Sequence, residues 1–164
     1  MKGVISWNHI NELNLLKQEL QKNSSRITIL FRYEVTSSGL HFQNPTHGQG
    51  KIIRVREEKV LDVAVDVRKD SPTFGKYVMR ELCKDNWHML WTPEGFSHSF
   101  LALEDSVVLY KTTAEYDKDS EGGLIWNDPE VGIKWIKTEK VISEKDKIWP
   151  HLKEVNSNPN IAII

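Results

Sequence analysis

Apolar and polar residues alternate with a period of two through most of the middle of the chain. Leu61, Val63, Val65 and Val67 fall on one side of a run whose other side holds Asp62, Ala64, Asp66 and Arg68. That alternation predicts a strand. Lys51, Ile53 and Val55 share a face opposed by Arg54 and Arg56, and Val108, Tyr110 and Thr112 share another. Turn chemistry at Lys69-Asp70-Ser71-Pro72, Lys84-Asp85-Asn86 and Thr92-Pro93-Glu94-Gly95 separates the runs. Strands so closely spaced, with few helices between them, predict an antiparallel sandwich or barrel rather than βαβ units.

A helical period shows only near the ends. Ile10, Leu13, Leu16 and Leu20 recur at helical spacing over 8–22, and Asn8 is placed to cap that helix. Its stripe reads as a packing face. Asn23-Ser24-Ser25 ends the helix, and 27–33 then reads as a strand. Residues 143–152 read as a short terminal helix and 156–164 as an extended tail. No repeat, low-complexity tract or linker divides the chain, so 1–164 reads as a single domain.

Composition narrows the class. A chain of 164 residues can bury a core of its own. Its 22 basic and 23 acidic side chains leave a net charge of −1, so no basic field points to nucleic acid or a membrane surface. One cysteine, Cys83, excludes an intramolecular disulfide and fits a reducing cytoplasm. No apolar run matches a signal peptide or the roughly 20 residues of a membrane helix. Six Trp, five Phe and four Tyr suit a cavity lined with rings.

The chemistry lies in polar groups on faces that should point inward. Lys51 sits beside Ile53 and Val55, and a buried ammonium needs a partner or a task. Tyr110 is either a packed ring with one hydrogen bond or a working group; its pattern leaves both open. Among the six histidines there is no His-x-His or His-x-x-x-His pair. No metal or cofactor is expected, although the spacing alone leaves open a metal site assembled from distant strands. A His, a Tyr and a Lys without a metal suit proton transfer at a carbon next to a carbonyl. That reaction needs a base of near-neutral pKa, a cation for the enolate and an acid to return the proton.

Several segments together resemble a known family. G-L-H-F-Q at 39–43, Q-G-K at 49–51, D-V-A-V-D-V-R at 62–68, S-P-T-F-G at 71–75, P-E-G-F-S-H at 93–98, L-Y-K at 109–111 and W-N-D-P-E-V-G-I-K-W at 126–135 are similar to the motifs of dTDP-4-dehydrorhamnose 3,5-epimerases. Those are metal-free, cupin-type jelly rolls of deoxysugar synthesis. The likeness covers about 39–150, an epimerase-like core. It implies His41 as the base that removes the proton beside the 4-keto group. Asp146, in S-E-K-D at 143–146, would orient it. Lys51 and His98 would stabilise the enolate oxygen, and Tyr110 would return the proton from the opposite face. The implied substrate-binding positions are Gln43, Asp62, Tyr116, Glu121 and Ser38, and Asp62 would also support His98.

The resemblance has gaps. The family begins about twenty residues earlier with an acidic-Arg-Gly-aromatic motif; here Met1-Lys2-Gly3-Val4 stands near that point, and the 1–38 segment diverges. The family Arg that grips the diphosphate is Ser38 in this chain, and one ring after L-Y-K is Glu115. Each lost charged hydrogen bond would cost about 1.5–3 kcal/mol, or roughly 10- to 100-fold in affinity. The expected function is epimerisation at C3, C5 or both of a nucleotide-linked 4-keto-6-deoxysugar by a cytoplasmic homodimer. The alternatives are a single-carbon epimerase on another nucleotide sugar and a non-catalytic sugar-binding cupin.

Overall fold

The computed structural model describes residues 5–6, 27–33, 39–136 and 142–155. Its strands are β1 (Ile5–Ser6), β2 (Ile27–Tyr33), β3 (Leu40–Gln43), β4 (Lys51–Glu57), β5 (Lys59–Asp66), β6 (Tyr77–Cys83), β7 (Met89–Thr92), β8 (Phe96–Ala102), β9 (Ser106–Thr112) and β10 (Glu121–Leu124). They pair antiparallel into two sheets, ordered β1-β7-β4-β9-β2 and β10-β3-β8-β5-β6. Two sheets of this kind enclosing a common interior make a cupin-like jelly roll.

The interior is filled from both sheets. Ile53, Val55, Leu90 and Val108 of the first sheet pack against Val60, Ala64, Phe100 and Ala102 of the second. Each such fully buried Val or Leu contributes about 1.5–3 kcal/mol. Register puts Lys51, Ile53 and Val55 opposite Thr112, Tyr110 and Val108, so all six side chains share the inward face.

The two faces of β5 are used in an order that alternation alone does not reveal. The Asp62–Ala64 face points into the jelly roll. The all-apolar face of Val63, Val65 and Val67 points outward and is buried with Leu40, Leu124, Val131, Leu152 and Val155. The segments at 124–135 and 149–155 therefore roof the second sheet, and every residue of β5 after Lys59 is buried.

Asp128 fastens that roof. Its Oδ1 accepts from the Glu130 and Val131 amides at 2.8 and 3.1 Å, and its Oδ2 from His151 Nδ1 and the Leu152 amide at 3.0 and 2.9 Å. Asp66 does the same for the turn after β5. Arg68 binds it through both carboxylate oxygens, and Ser71 and Thr73 donate their hydroxyls to Oδ2. These two aspartates of D-V-R and W-N-D-P hold loops.

The terminal helix expected at 143–152 is instead two short 3₁₀ turns, Lys145–Lys147 and Leu152–Glu154. Pro150 is the physical reason: it has no N–H to donate and drives Trp149 before it out of the helical region. The expected helix at 8–22, the tail at 156–164 and Ser38 lie outside the described residues. The strand expected at 27–33 is β2 and pairs with β9 along its whole length.

Candidate active site

Inward side chains of both sheets surround a cavity of about 370 Å³ lined by His41, Gln43, Lys51, His98, Tyr110 and Glu121 among others. His41 and His98 are direct partners across β3 and β8. Ala64 stands opposite His98 on the other side. The three residues form one inward row, because opposed residues of an antiparallel pair project the same way.

Each histidine is held by a carboxylate. His41 Nε2 lies 2.5 Å from Oδ1 of Asp146, which arrives on the 3₁₀ turn 105 residues later. His98 Nε2 lies 2.5 Å from Oδ1 of Asp62 on β5. Exposure separates the two pairs. The His41 side chain keeps 27% of its surface accessible, whereas His98 keeps 10% and Asp62 none. His41 can meet a ligand; Asp62 is a support behind the wall.

Asp146 is itself held on several sides. The Gly39 amide donates to Oδ2 at 3.1 Å, and the Trp149 indole N–H donates to Oδ1 at 3.3 Å. Its own amide donates to Ser143 Oγ at 3.2 Å. Burial raises its pKa, but the His41 charge and the hydrogen bonds around it outweigh that, leaving it below the ordinary value. Gly39 is required at this contact, because a Cβ there would overlap the Asp146 carboxylate.

His41 is lowered from the ordinary imidazole value, first by burial and further by the Lys51 charge, against the opposing pull of Asp146 and Glu121. It is therefore neutral at pH 7, the form that can accept a proton. Lys51 is lowered by burial to about 8, with Glu121 and Asp62 opposing. Its Nζ reaches the His41 carbonyl at 3.5 Å, a long contact that leaves N–H donors for a ligand. Burial raises Tyr110, so its phenol holds its proton.

The rim is organised by Glu121. Its Oε2 accepts from Tyr116 Oη at 2.7 Å and from Lys145 Nζ at 2.5 Å. Burial pushes the Glu121 carboxyl up, and those two donors bring it below the usual range. Gln43 spends its side-chain carbonyl on the Asp117 amide at 2.9 Å, and Gln49 donates to the Ala114 carbonyl at 2.9 Å. Both pin the 114–120 loop that carries Tyr116, which stays 58% exposed at the cavity mouth.

Of the residues singled out in the sequence, His41, Gln43, Lys51, His98, Tyr110, Tyr116 and Glu121 line this one cavity. Asp62 and Asp146 stand directly behind the two imidazoles. Sequence reasoning missed Trp149, which carries no signal in its pattern. It also passed over Gln49, although Gln49 belongs to the Q-G-K motif. Among the described residues, no three His, Cys, Asp or Glu side chains gather as a metal site requires, and no helix is long and apolar enough to cross a membrane.

A neutral base, a cation and a protonated phenol around one cavity suit a jelly-roll protein to acid–base chemistry. Comparison with known proteins makes the class specific. The family model described as dTDP-4-dehydrorhamnose 3,5-epimerase matches residues 6–154. The dTDP-4-dehydrorhamnose 3,5-epimerase of Sinorhizobium fredii is 48% identical over 122 residues, covering 73% of this chain and 63% of that relative. The chain thus matches less than two thirds of that relative's length. A crystal structure of the Elizabethkingia anophelis dTDP-4-dehydrorhamnose 3,5-epimerase superposes with a TM-score of 0.75 at 36% identity, covering 82% of this chain and 74% of that one. The Legionella pneumophila dTDP-6-deoxy-D-glucose-3,5-epimerase in complex with dTDP-4-keto-L-rhamnose gives 0.78 at 31% identity, covering 92% and 80%. The chain belongs to the dTDP-4-dehydrorhamnose 3,5-epimerase family.

Proposed function

We propose that the protein epimerises a dTDP-linked 4-keto-6-deoxysugar by removing and returning protons at the carbons flanking the ketone. The observation that carries this reading is the His41–Asp146 pair at 2.5 Å, set in the wall of a cavity that also presents Lys51 and Tyr110. The names of the matched relatives, and the keto-sugar in the Legionella structure, support the substrate class.

In this mechanism neutral His41 takes the proton from C3 or C5. Asp146 stabilises the imidazolium that results and keeps the ring aimed. The electron pair left on carbon moves into the carbonyl, and the C4 oxygen gains charge. Lys51 donates to that oxygen, with the buried His98 beside it, and partial shielding from solvent strengthens such contacts. Tyr110 then gives its proton to the opposite face of the carbon. The substrate loses one proton and gains one, and His41 and Tyr110 return to their starting states by exchange with water. Glu121, Tyr116 and Gln43 complete the substrate-binding set; Asp62, fully buried behind His98, supports that imidazole instead of meeting substrate as the resemblance implied.

We read the protein as a cytoplasmic homodimer. The unpaired Cys83 supports a reducing compartment, and sedimentation equilibrium tests the dimer. Activity is tested by incubation with dTDP-4-keto-6-deoxyglucose in deuterated water, counting deuterium at C3 and C5 by NMR and mass spectrometry. Exchange at both carbons supports double epimerisation, and exchange at one supports the single-carbon reading. No exchange at high enzyme concentration, with His41→Asn behaving identically, would sink the epimerase reading on this substrate.

A further inference from the structure

Trp149 lies behind the proposed base and outside the cavity lining, yet it touches both members of the pair. Its indole N–H donates to Oδ1 of Asp146 at 3.3 Å, the same oxygen that His41 Nε2 meets at 2.5 Å. Its ring stands edge-on to the His41 imidazole, with centroids 5.8 Å apart and planes at 68°. The indole fills the space over Gly123, the residue paired with His41 across β3 and β10, and a Cβ on Gly123 would overlap it.

The ring has little freedom to leave. Pro150 follows it and accepts a backbone hydrogen bond from Ile125 at 3.0 Å. Lys145, anchored on Glu121, stands 5.5 Å over its face. An indole so fixed is a rigid wedge between β10 and the turn that carries Asp146.

We propose that Trp149 is a positioning residue for the His41–Asp146 pair: its N–H shares the carboxylate oxygen and its ring edge fixes the plane of the imidazole. Sharing has an electrostatic consequence. The indole N–H draws charge from Oδ1, so Asp146 attracts the imidazolium less than it would alone, and His41 stays a neutral base. Asp146 is indeed stabilised as the anion by the Trp149 contact. The other charged or titratable groups facing His41 are Lys51, His98 and Tyr110 in the cavity, and Glu121 with Lys145 at its rim. Of these, Lys145 packs on the indole face, and Trp149→Phe leaves it a ring to pack on.

The role of Trp149 builds on the epimerase reading only for its catalytic meaning, so the test starts without substrate. In the wild-type protein labelled with ¹⁵N, the Trp149 indole resonance, assigned through contacts to Gly123, is expected to titrate with the same midpoint as His41. In Trp149→Phe, which keeps a ring and loses the N–H, the His41 midpoint is expected to rise by roughly half a pH unit. If the substrate is turned over, Trp149→Ala should lower kcat about tenfold with KM little changed, and the acidic limb of the Trp149→Phe profile should follow His41 upward. A wild-type indole resonance indifferent to His41 titration would overturn the proposal, even if the variants fail to fold. So would a folded Trp149→Phe protein with an unmoved His41 midpoint. Loss of epimerisation in the wild type alone would speak against the function and leave both NMR results standing.

Discussion

His41 and His98 face each other across one strand pair, and each is gripped at 2.5 Å by an aspartate from a different part of the chain. Asp62 reaches His98 from the neighbouring strand, inside the sheet. Asp146 reaches His41 from beyond the sheet edge, on a turn fastened by its own contacts. The accessible imidazole is thus the one whose partner can be lost without disturbing the strands.

From this asymmetry, Asp146→Asn should cut deuterium exchange by about 10²–10³-fold, while His41→Asn should abolish it. Thermal melting of both variants should stay close to wild type, because neither side chain is in the apolar core. A wild-type rate in Asp146→Asn would remove Asp146 from the mechanism.

Lys51 predicts opposite effects on activity and stability. Replacing it with Met should lower kcat by about 10²–10³-fold by removing the enolate cation, yet raise the melting temperature at pH 7. Its pKa is about 8 in the folded protein, against 10.5 for an ordinary lysine. Folding is therefore penalised fully below pH 8, where the folded lysine is charged, and the penalty fades between about pH 8 and 10.5. The stability gap between Lys51→Met and wild type should close across that window, and the wild-type rate should fall on a basic limb near pH 8.

Glu121 helps both Lys51 and His41 hold a proton. Removing its charge in Glu121→Gln should move both limbs of the pH–rate profile to lower pH, by about half a unit. Steady-state rates across pH 5–9 check this; a shift of one limb only would show that Glu121 acts on a single group.

Gly39→Ala should retain the fold and lose activity by more than about tenfold, because the added methyl must displace the Asp146 carboxylate. The far-ultraviolet spectrum and the exchange rate together distinguish a local displacement from unfolding.

Asp128 lies far from the chemistry and should act through the roof. Asp128→Ala leaves the Glu130, Val131 and Leu152 amides without their acceptor. The expected cost is about 3 kcal/mol, read in urea unfolding. Protease cleavage within 142–155 should appear before the barrel strands are cut, and activity should decline with it, since Asp146 rides on that segment.

Strand positions were readable because a period of two survives any tertiary context that buries one face. Lys51, Ile53 and Val55 share the inward side as their spacing required. The helix expected at 143–152 failed for a local reason equally present in the chain, Pro150, whose effect outweighed the apolar spacing around it. On β5 the alternation was right, but which face was interior was not decidable. Both faces are buried, one by the opposite sheet and one by the roof.

What the sequence determined by itself is the strand periodicity, the turn sites, and the presence of a His, a Lys and a Tyr on faces that point into a barrel. The motif resemblance added their grouping and Asp146. What only the tertiary structure decided is which atoms meet. The 2.5 Å contact of His41 with Asp146, the Trp149 indole on the same oxygen and the Glu121 junction of Tyr116 and Lys145 all join segments distant in sequence. Periodicity is a property of neighbours along the chain, whereas the basicity of His41 depends on burial and charges that the fold alone assembles.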